Sequence, residues 1–116
     1  MTRDEHLYTI AGEEGCEIAQ RCTKALRFGD RQVQPDGHDG LHPDGGNPEQ
    51  LDNRQRILKE YADLVGVLEM LGFDVGLGLL HPLRPWVDAK KAKVERFLEY
   101  SRECGTLTEE CAGDRP

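Results

Sequence analysis

The residues of this 116-residue chain best able to do chemistry lie in two short segments, Glu13-Glu14-Gly15-Cys16-Glu17 and Glu60-Tyr61-Ala62-Asp63. Each sets two carboxylates three residues apart, Glu14 with Glu17 and Glu60 with Asp63, within a stretch of helical character. Side chains three apart share one face of a helix, so each pair converges on one point. The first pair also occupies an unusual face. The apolar stripe of its helix runs Leu7, Ile10, Ile18, Cys22, Ala25, and at about 100° per residue Glu14 falls in its middle and Glu17 at its edge. A carboxylate turned toward a core is unfavourable unless something positive compensates it. Two acidic pairs on two packed helices, neutralised by divalent metal, is the economical explanation. Mg²⁺ or Mn²⁺ suits such a site, because hard cations take oxygen ligands. Glu14, Glu17, Glu60 and Asp63 are therefore the expected ligands of divalent metal, and four carboxylates can hold more than one ion.

The elements that must position them are helical. The first helix is expected from about Glu5 to Arg27, with Thr2 or Asp4 as N-cap and Gly29 as its stop. Lys24 and Arg27 fall in its last turns, where cations suit the helix dipole; contact with a phosphate is the sharper reading of both. Residues 30–47 carry Pro-Asp-Gly twice and read as a flexible loop or lid. His38 and His42, with Asp36, Asp39 and Asp44, resemble a metal site only on a helix, which this stretch cannot form. The second helix is expected to open with Asn47 as N-cap, Pro48 at the first position and Gln50 at N3, and to run to Leu71, with a weak spot near Asp52 and Asn53. Its stripe is Leu51, Ile57, Tyr61, Leu64, Val65, Leu68 and Leu71. Glu60 flanks the stripe, Asp63 lies one helical step further round, and Glu69 is expected to be solvated.

Residues 72–87 contain Gly76, Gly78, Pro82 and Pro85 and read as an irregular packed connection. Leu77, Leu79, Leu80 and Trp86 within it suit a core or a subunit interface. A last helix is expected from the N-cap Asp88 to about Cys104, with Gly105 as its stop and Val94, Phe97 and Leu98 on its apolar face. Lys90, Lys91 and Lys93 crowd its first turns, where cations oppose the dipole. A solvated cluster is the plain reading; a phosphate grip by Lys90 and Lys93, three apart on one face, is the functional one. Residues 106–116 are expected to form a polar, frayed tail, leaving one domain over 1–105.

Composition narrows the function classes. A net charge of −7 and a pI near 5.0 argue against binding a nucleic-acid polymer through its phosphates. They leave room for a small polyphosphate held through bridging cations. With 37% hydrophobic residues and a mean hydropathy of −0.66, a monomer would have a thin core, so a homo-oligomer is expected. Cys16, Cys22, Cys104 and Cys111 form no zinc-finger spacing and no C-x-x-C. With neither a signal peptide nor a run long enough to span a membrane, they are expected to be reduced thiols of a cytoplasmic protein.

The two acidic segments resemble the signature of the MazG-type all-α nucleoside triphosphate pyrophosphohydrolases, E-x-x-E on one helix and E-x-x-D on the next. Glu14 to Glu17 match the first element. Glu60 to Asp63, followed by Leu64-Val65-Gly66-Val67-Leu68, match the second. The stretches 19–29 and 93–105 are similar to the small phage-encoded, MazZ-like branch of that family, so the likeness spans most of residues 5–105. The connection between the acidic pairs is longer than in the compact members. The resemblance implies an all-α, MazG-like helical bundle assembled as a homo-oligomer, a tetramer of two dimers. It also implies Mg²⁺- or Mn²⁺-dependent cleavage of a (d)NTP to the monophosphate and pyrophosphate, in the host cytoplasm if the chain is phage-encoded. The family's phosphate-contacting lysines map onto Lys90 and Lys93, with Lys91 as an alternative, and Glu13 or Glu17 is a candidate base. The phage branch suggests a purine substrate such as dGTP. Broad house-cleaning of several (d)NTPs is the alternative enzyme reading. A non-catalytic helical adaptor is the alternative outside enzymes, though it would have no use for acids on an apolar stripe.

Overall fold

Thr2 and Glu5 start the first helix reciprocally. The Thr2 hydroxyl accepts the Glu5 backbone N–H, and the Glu5 carboxylate accepts the Thr2 N–H. In a computed structural model that describes residues 1–33, 47 and 49–108, this helix, α1, covers Arg3–Phe28. Gly29 ends it at φ 96°, a backbone angle that a side chain would strain, with its N–H on the Ala25 carbonyl. Two further helices follow, α2 (Asn53–Met70) and α3 (Arg84–Glu103). Among the described residues there is no strand, only an isolated bridge between Val33 and Asp52. The protein is all-α, and no helix of the described residues is long and apolar enough to cross a membrane.

Two helix starts differ from the sequence reading. α2 opens at Asp52, not Asn47: Asp52 and Gln55 form the capping box. Asn47 instead clasps Leu51, donating to its carbonyl at 2.8 Å and accepting its N–H at 3.0 Å. Gln50, at φ 55°, breaks any helix between them. α3 begins at Arg84, a turn before the expected cap Asp88. Pro85 does not prevent this, because the first turn of a helix has no use for the missing N–H. Trp86 and Val87 therefore belong to α3 and not to an irregular connection.

α2 is the central helix, packed on α1 along one side and α3 along another. Leu7 joins Val67 in one apolar cluster while Arg21 meets Glu60 further along, so α1 and α2 run antiparallel. That cluster also holds Val94, Leu98 and Leu107; a second joins Ala62, Val65 and Val87, with Leu77, Leu83 and Trp86 packed against it. A single-stripe reading of α2 misses this two-sided burial. Tyr61, expected on the buried stripe, is exposed, and so is Cys22 of the α1 stripe and Phe97 of the α3 stripe. Gly66 sits at the crossing with α3: a Cβ there would stand 3.0 Å from the Val87 carbonyl oxygen and 3.4 Å from Lys90 Cβ. The missing side chain lets α3 approach closely enough to bring Lys90 to the seam.

The expected frayed tail is ordered at its start. Leu107 is buried, and the strand of chain around it is tied to the N-terminus: Met1 N donates to the Thr106 carbonyl at 2.7 Å, and Thr108 N to the Met1 carbonyl at 2.8 Å. One apolar side chain in a polar stretch is enough to dock it. Residues 109–116, the loop residues 34–46 with His38, His42 and their aspartates, and Pro48 lie outside the described residues.

Candidate metal and phosphate site

The buried residues of α1 are Leu7, Glu14 and Arg21, seven apart and therefore on one face two turns from each other. Along that seam the chain passes from apolar to acidic to basic. α2 brings Glu60 to the same place, and α3 brings Lys90. Oxygens of Glu14, Glu17 and Glu60 all lie within 4.8 Å of one another. Lys90 Nζ stands 2.6 Å from Glu14 Oε1, and Arg21 Nε 3.6 Å from Glu60 Oε1. The other oxygens of the two carboxylates, Glu14 Oε2 and Glu60 Oε2, are buried and have no hydrogen-bond partner among the described residues. Such groups are rare in folded proteins and unfavourable where they occur.

These residues line a cleft of about 320 Å³, which also takes in Asp63, Arg56, Lys59 and Lys93. The volume is at the lower end of the range of roughly 300–1,000 Å³ usual for small-molecule sites. Its lining is mixed in sign: five carboxylates, Glu49 among them, and five cations. Burial raises Glu14 above the ordinary carboxylate range, against the opposing pull of Lys90. Glu60 is raised by burial and by Asp63 and Glu14 nearby. Glu17, at the exposed rim, is raised by desolvation at the cleft and by the Glu60 carboxylate beside it. Asp63 is pushed by burial to about 6. Burial alone would depress the Lys90 ammonium, but Glu14, backed by Asp63 and Glu17, outweighs it and holds Lys90 above the usual lysine value.

Of the residues singled out from sequence, Glu14, Glu17 and Glu60 are brought together. Asp63 lines the same cleft but stands outside that triplet. Lys90 and Lys93 line it too, Lys93 with its ammonium 5.8 Å above the Phe97 ring. Lys24 and Arg27 do not line it: they lie beyond Arg21 toward the end of α1, and Arg27 stacks over Phe28 instead. Glu13 is exposed and is not part of the cleft. Lys91 is bound to Glu69 at 2.7 Å. Glu69 itself, expected to be solvated, is mostly buried and doubly bonded to Arg84.

Sequence reasoning missed Arg21, Arg56 and Lys59. The signal was present in the spacing: Arg21 follows Glu14 by two turns, and Arg56 precedes Glu60 by one, so each shares a face with an acid already suspected. Lys59 is held by Glu49 and lies 5.9 Å from the centre of the Trp86 ring, linking the cleft to the start of α3.

The donor set fits a hard divalent cation. Three carboxylates converge from two helices, and two of their oxygens are buried with no partner, as ligands awaiting an ion are. The chain matches no family model, no curated protein and no solved structure.

Proposed function

We propose that this chain is a divalent-metal-dependent nucleoside triphosphate pyrophosphohydrolase of the MazG-like type, converting a (d)NTP, with a purine such as dGTP preferred, to the monophosphate and pyrophosphate. The observation that carries this reading is the pair of buried, unpartnered oxygens on Glu14 and Glu60 inside a cleft that also presents lysine and arginine side chains. A purely structural ion-pair cluster would satisfy those oxygens. An interaction module would have no reason to bury them.

Glu14, Glu17 and Glu60 would hold Mg²⁺ or Mn²⁺, and Asp63, on the wall of the same cleft, would serve a second ion. Bound there, the ion supplies charge neutralisation for the triphosphate and makes water more acidic. The remaining work falls to the chain's own side chains. Lys90, Lys93, Lys59, Arg21 and Arg56 supply positive charge along the cleft, where it steadies the β- and γ-phosphates as the leaving group. Glu17 is the acid best placed to take a proton from the attacking water, because it combines exposure at the rim with a raised proton affinity. Water oxygen bonds to the α-phosphorus, the bond to the bridging oxygen breaks, and pyrophosphate departs.

Exposed apolar side chains support the oligomeric part of the proposal. Leu79 and Leu80 are 83% and 98% exposed, and Phe73 and Leu58 are also exposed. Exposed apolar side chains of this size suit association, and a homotetramer is the assembly the resemblance implies. The free Cys16, Cys22 and Cys104 suit a reducing, cytoplasmic setting.

The test is chromatography of the products formed from each of the eight common (d)NTPs with Mn²⁺ or Mg²⁺. Monophosphate and pyrophosphate, fastest from dGTP, are expected. A diphosphate with free phosphate would refute the assignment, and equal rates on all eight would favour broad house-cleaning. Light scattering that gave a monomer mass at micromolar concentration would remove the oligomer.

A further inference from the structure

We propose that Lys90 is the resident counter-ion of the metal site: its ammonium holds Glu14 when the site is empty, and a divalent ion displaces it into the cleft, where it becomes available to the phosphates. The inference rests on the metal-centre reading above and adds an exchange to it.

The geometry is that of a stand-in cation. Lys90 Nζ lies 2.6 Å from Glu14 Oε1, with only 12% of the lysine side chain and 5% of the glutamate exposed. Lys90 on Glu14 and Arg21 on Glu60 serve a triplet of carboxylates between them, and among the described residues Glu14 Oε2 and Glu60 Oε2 stay without hydrogen-bond partners. The compensation is therefore incomplete, and a divalent charge among the same oxygens completes it. That ion and the ammonium compete for Glu14, and two cations so close repel each other. Competition is reciprocal: whatever Lys90 gains from Glu14 is subtracted from the affinity for metal. The stem of Lys90 rests against Gly66, which fixes its root while leaving the end of a four-carbon chain free to turn. Arg84 contrasts with it. Arg84 grips both oxygens of Glu69 and also bonds the Leu77 carbonyl, an arrangement made to stay.

The experiment measures Mn²⁺ binding without nucleotide, by electron paramagnetic resonance of the free ion, for the full chain and for Lys90→Met. Thermal melting of both proteins is followed in EDTA and in saturating Mn²⁺. Removing the competitor should tighten Mn²⁺ binding by about tenfold, within the usual range of coupling between sites. The variant should melt lower than the parent in EDTA, with the gap closing when Mn²⁺ replaces the lost charge. Unchanged or weaker Mn²⁺ binding, or a melting gap that persists at saturation, overturns the exchange. No Mn²⁺ binding by either protein overturns the metal centre itself, and the exchange with it. Should Lys90→Met fail to fold, the unmutated protein still decides: acetylation of Lys90, followed by peptide mass spectrometry, should be slow in EDTA and several-fold faster in Mg²⁺. A rate that does not rise overturns the proposal.

Discussion

Glu69 and Glu60, two partly buried acids of α2, differ in how their oxygens are engaged. Glu69, near the helix end, has every oxygen engaged: Oε1 takes Arg84 Nη1 and Lys91 Nζ, each at 2.7 Å, and Oε2 takes Arg84 Nη2 at 3.0 Å. Arg84 holds it far below the ordinary carboxylate range, at about 2, with burial opposing and Lys91 assisting. Glu60, two and a half turns earlier, has one oxygen 3.6 Å from Arg21 and the other buried without a partner, and burial raises it. The first is an ion-pair network with its carboxylate fully engaged, though Arg84 Nε stays buried without a partner among the described residues, and it ties the start of α3 to α2. The second, with Glu14, is an open one. Closure marks a structural strut. Buried carboxylate oxygens left without a partner in a cleft mark a place for a ligand.

The largest expected effect comes from the open cluster. Glu60→Gln keeps shape and removes charge, so turnover should fall on the order of 10²–10³-fold or more, the scale seen when one preorganised electrostatic group is lost. Its melting temperature in EDTA should stay level or rise, because a poorly compensated buried charge has gone. Activity within a few-fold of the parent would end the case for Glu60 as a ligand.

Glu69→Gln should do the reverse. It leaves Arg84 and Lys91 without their shared acceptor, and the melting temperature should drop by about 5 °C or more. Mn²⁺ affinity and the identity of the products should not change. Loss of metal binding in this variant would erase the distinction between strut and site.

Why one cluster was legible in the sequence and the other was not follows from the same residues. Glu14 stood out because it interrupts an apolar stripe at helical spacing, which is local information, and Glu17 and Glu60 followed by the same spacing. Glu69 was misplaced because its partners come from a helix start that two prolines obscured. Once α3 begins at Arg84, Arg84 and Lys91 lie two turns apart on one face, and both reach Glu69. Lys24 and Arg27 were drawn toward phosphate by charge alone, but the cleft ends nearer Arg21. Leu107 was passed over because nothing local predicts that a residue after the last helix returns to Leu7 at the chain's beginning. All three helices could be read from periodicity and turn residues. Their crossing could not, since it depends on which of two buried faces of α2 meets which neighbour.

The pH dependence of the metal-free protein sharpens the comparison, because the two clusters act in different windows. Glu69, with a lowered proton affinity, contributes stability that is complete above its ordinary value of 4.5 and is lost as pH falls toward about 2. The open cluster has the opposite sign. Asp63 is raised from 3.8 to about 6, so the folded state binds more protons than the unfolded one between those values. Stability from that side is fullest below 3.8 and lost as pH rises through about 6. Melting in EDTA should therefore be highest where the two windows overlap, between 3.8 and 4.5, and decline toward neutral pH. Saturating Mg²⁺ should flatten the decline. A metal-free melting temperature that climbs steadily from pH 5 to 7 would contradict the assignment of the open cluster.

The smallest effect, and the most specific, belongs to Gly66→Ala. A methyl group there would meet the Val87 carbonyl at 3.0 Å, a backbone atom that moves only if α3 moves. Overpacking of this kind destabilises by about 1–3 kcal/mol. The displacement acts on Lys90, whose Cβ is 3.4 Å from the same point, and much less on Glu69, whose guanidinium partner can follow by rotating its long side chain. Triphosphate binding should weaken several-fold, read as a raised KM, while the strut survives and the helical circular dichroism is retained. Lys90→Ala measured in the Gly66→Ala background then supplies the decisive comparison. If Gly66 acts through Lys90, the two substitutions together should raise KM little beyond Lys90→Ala alone. Fully additive losses would mean that the glycine serves only the packing of α2 on α3, and that the approach of Lys90 to Glu14 does not depend on it.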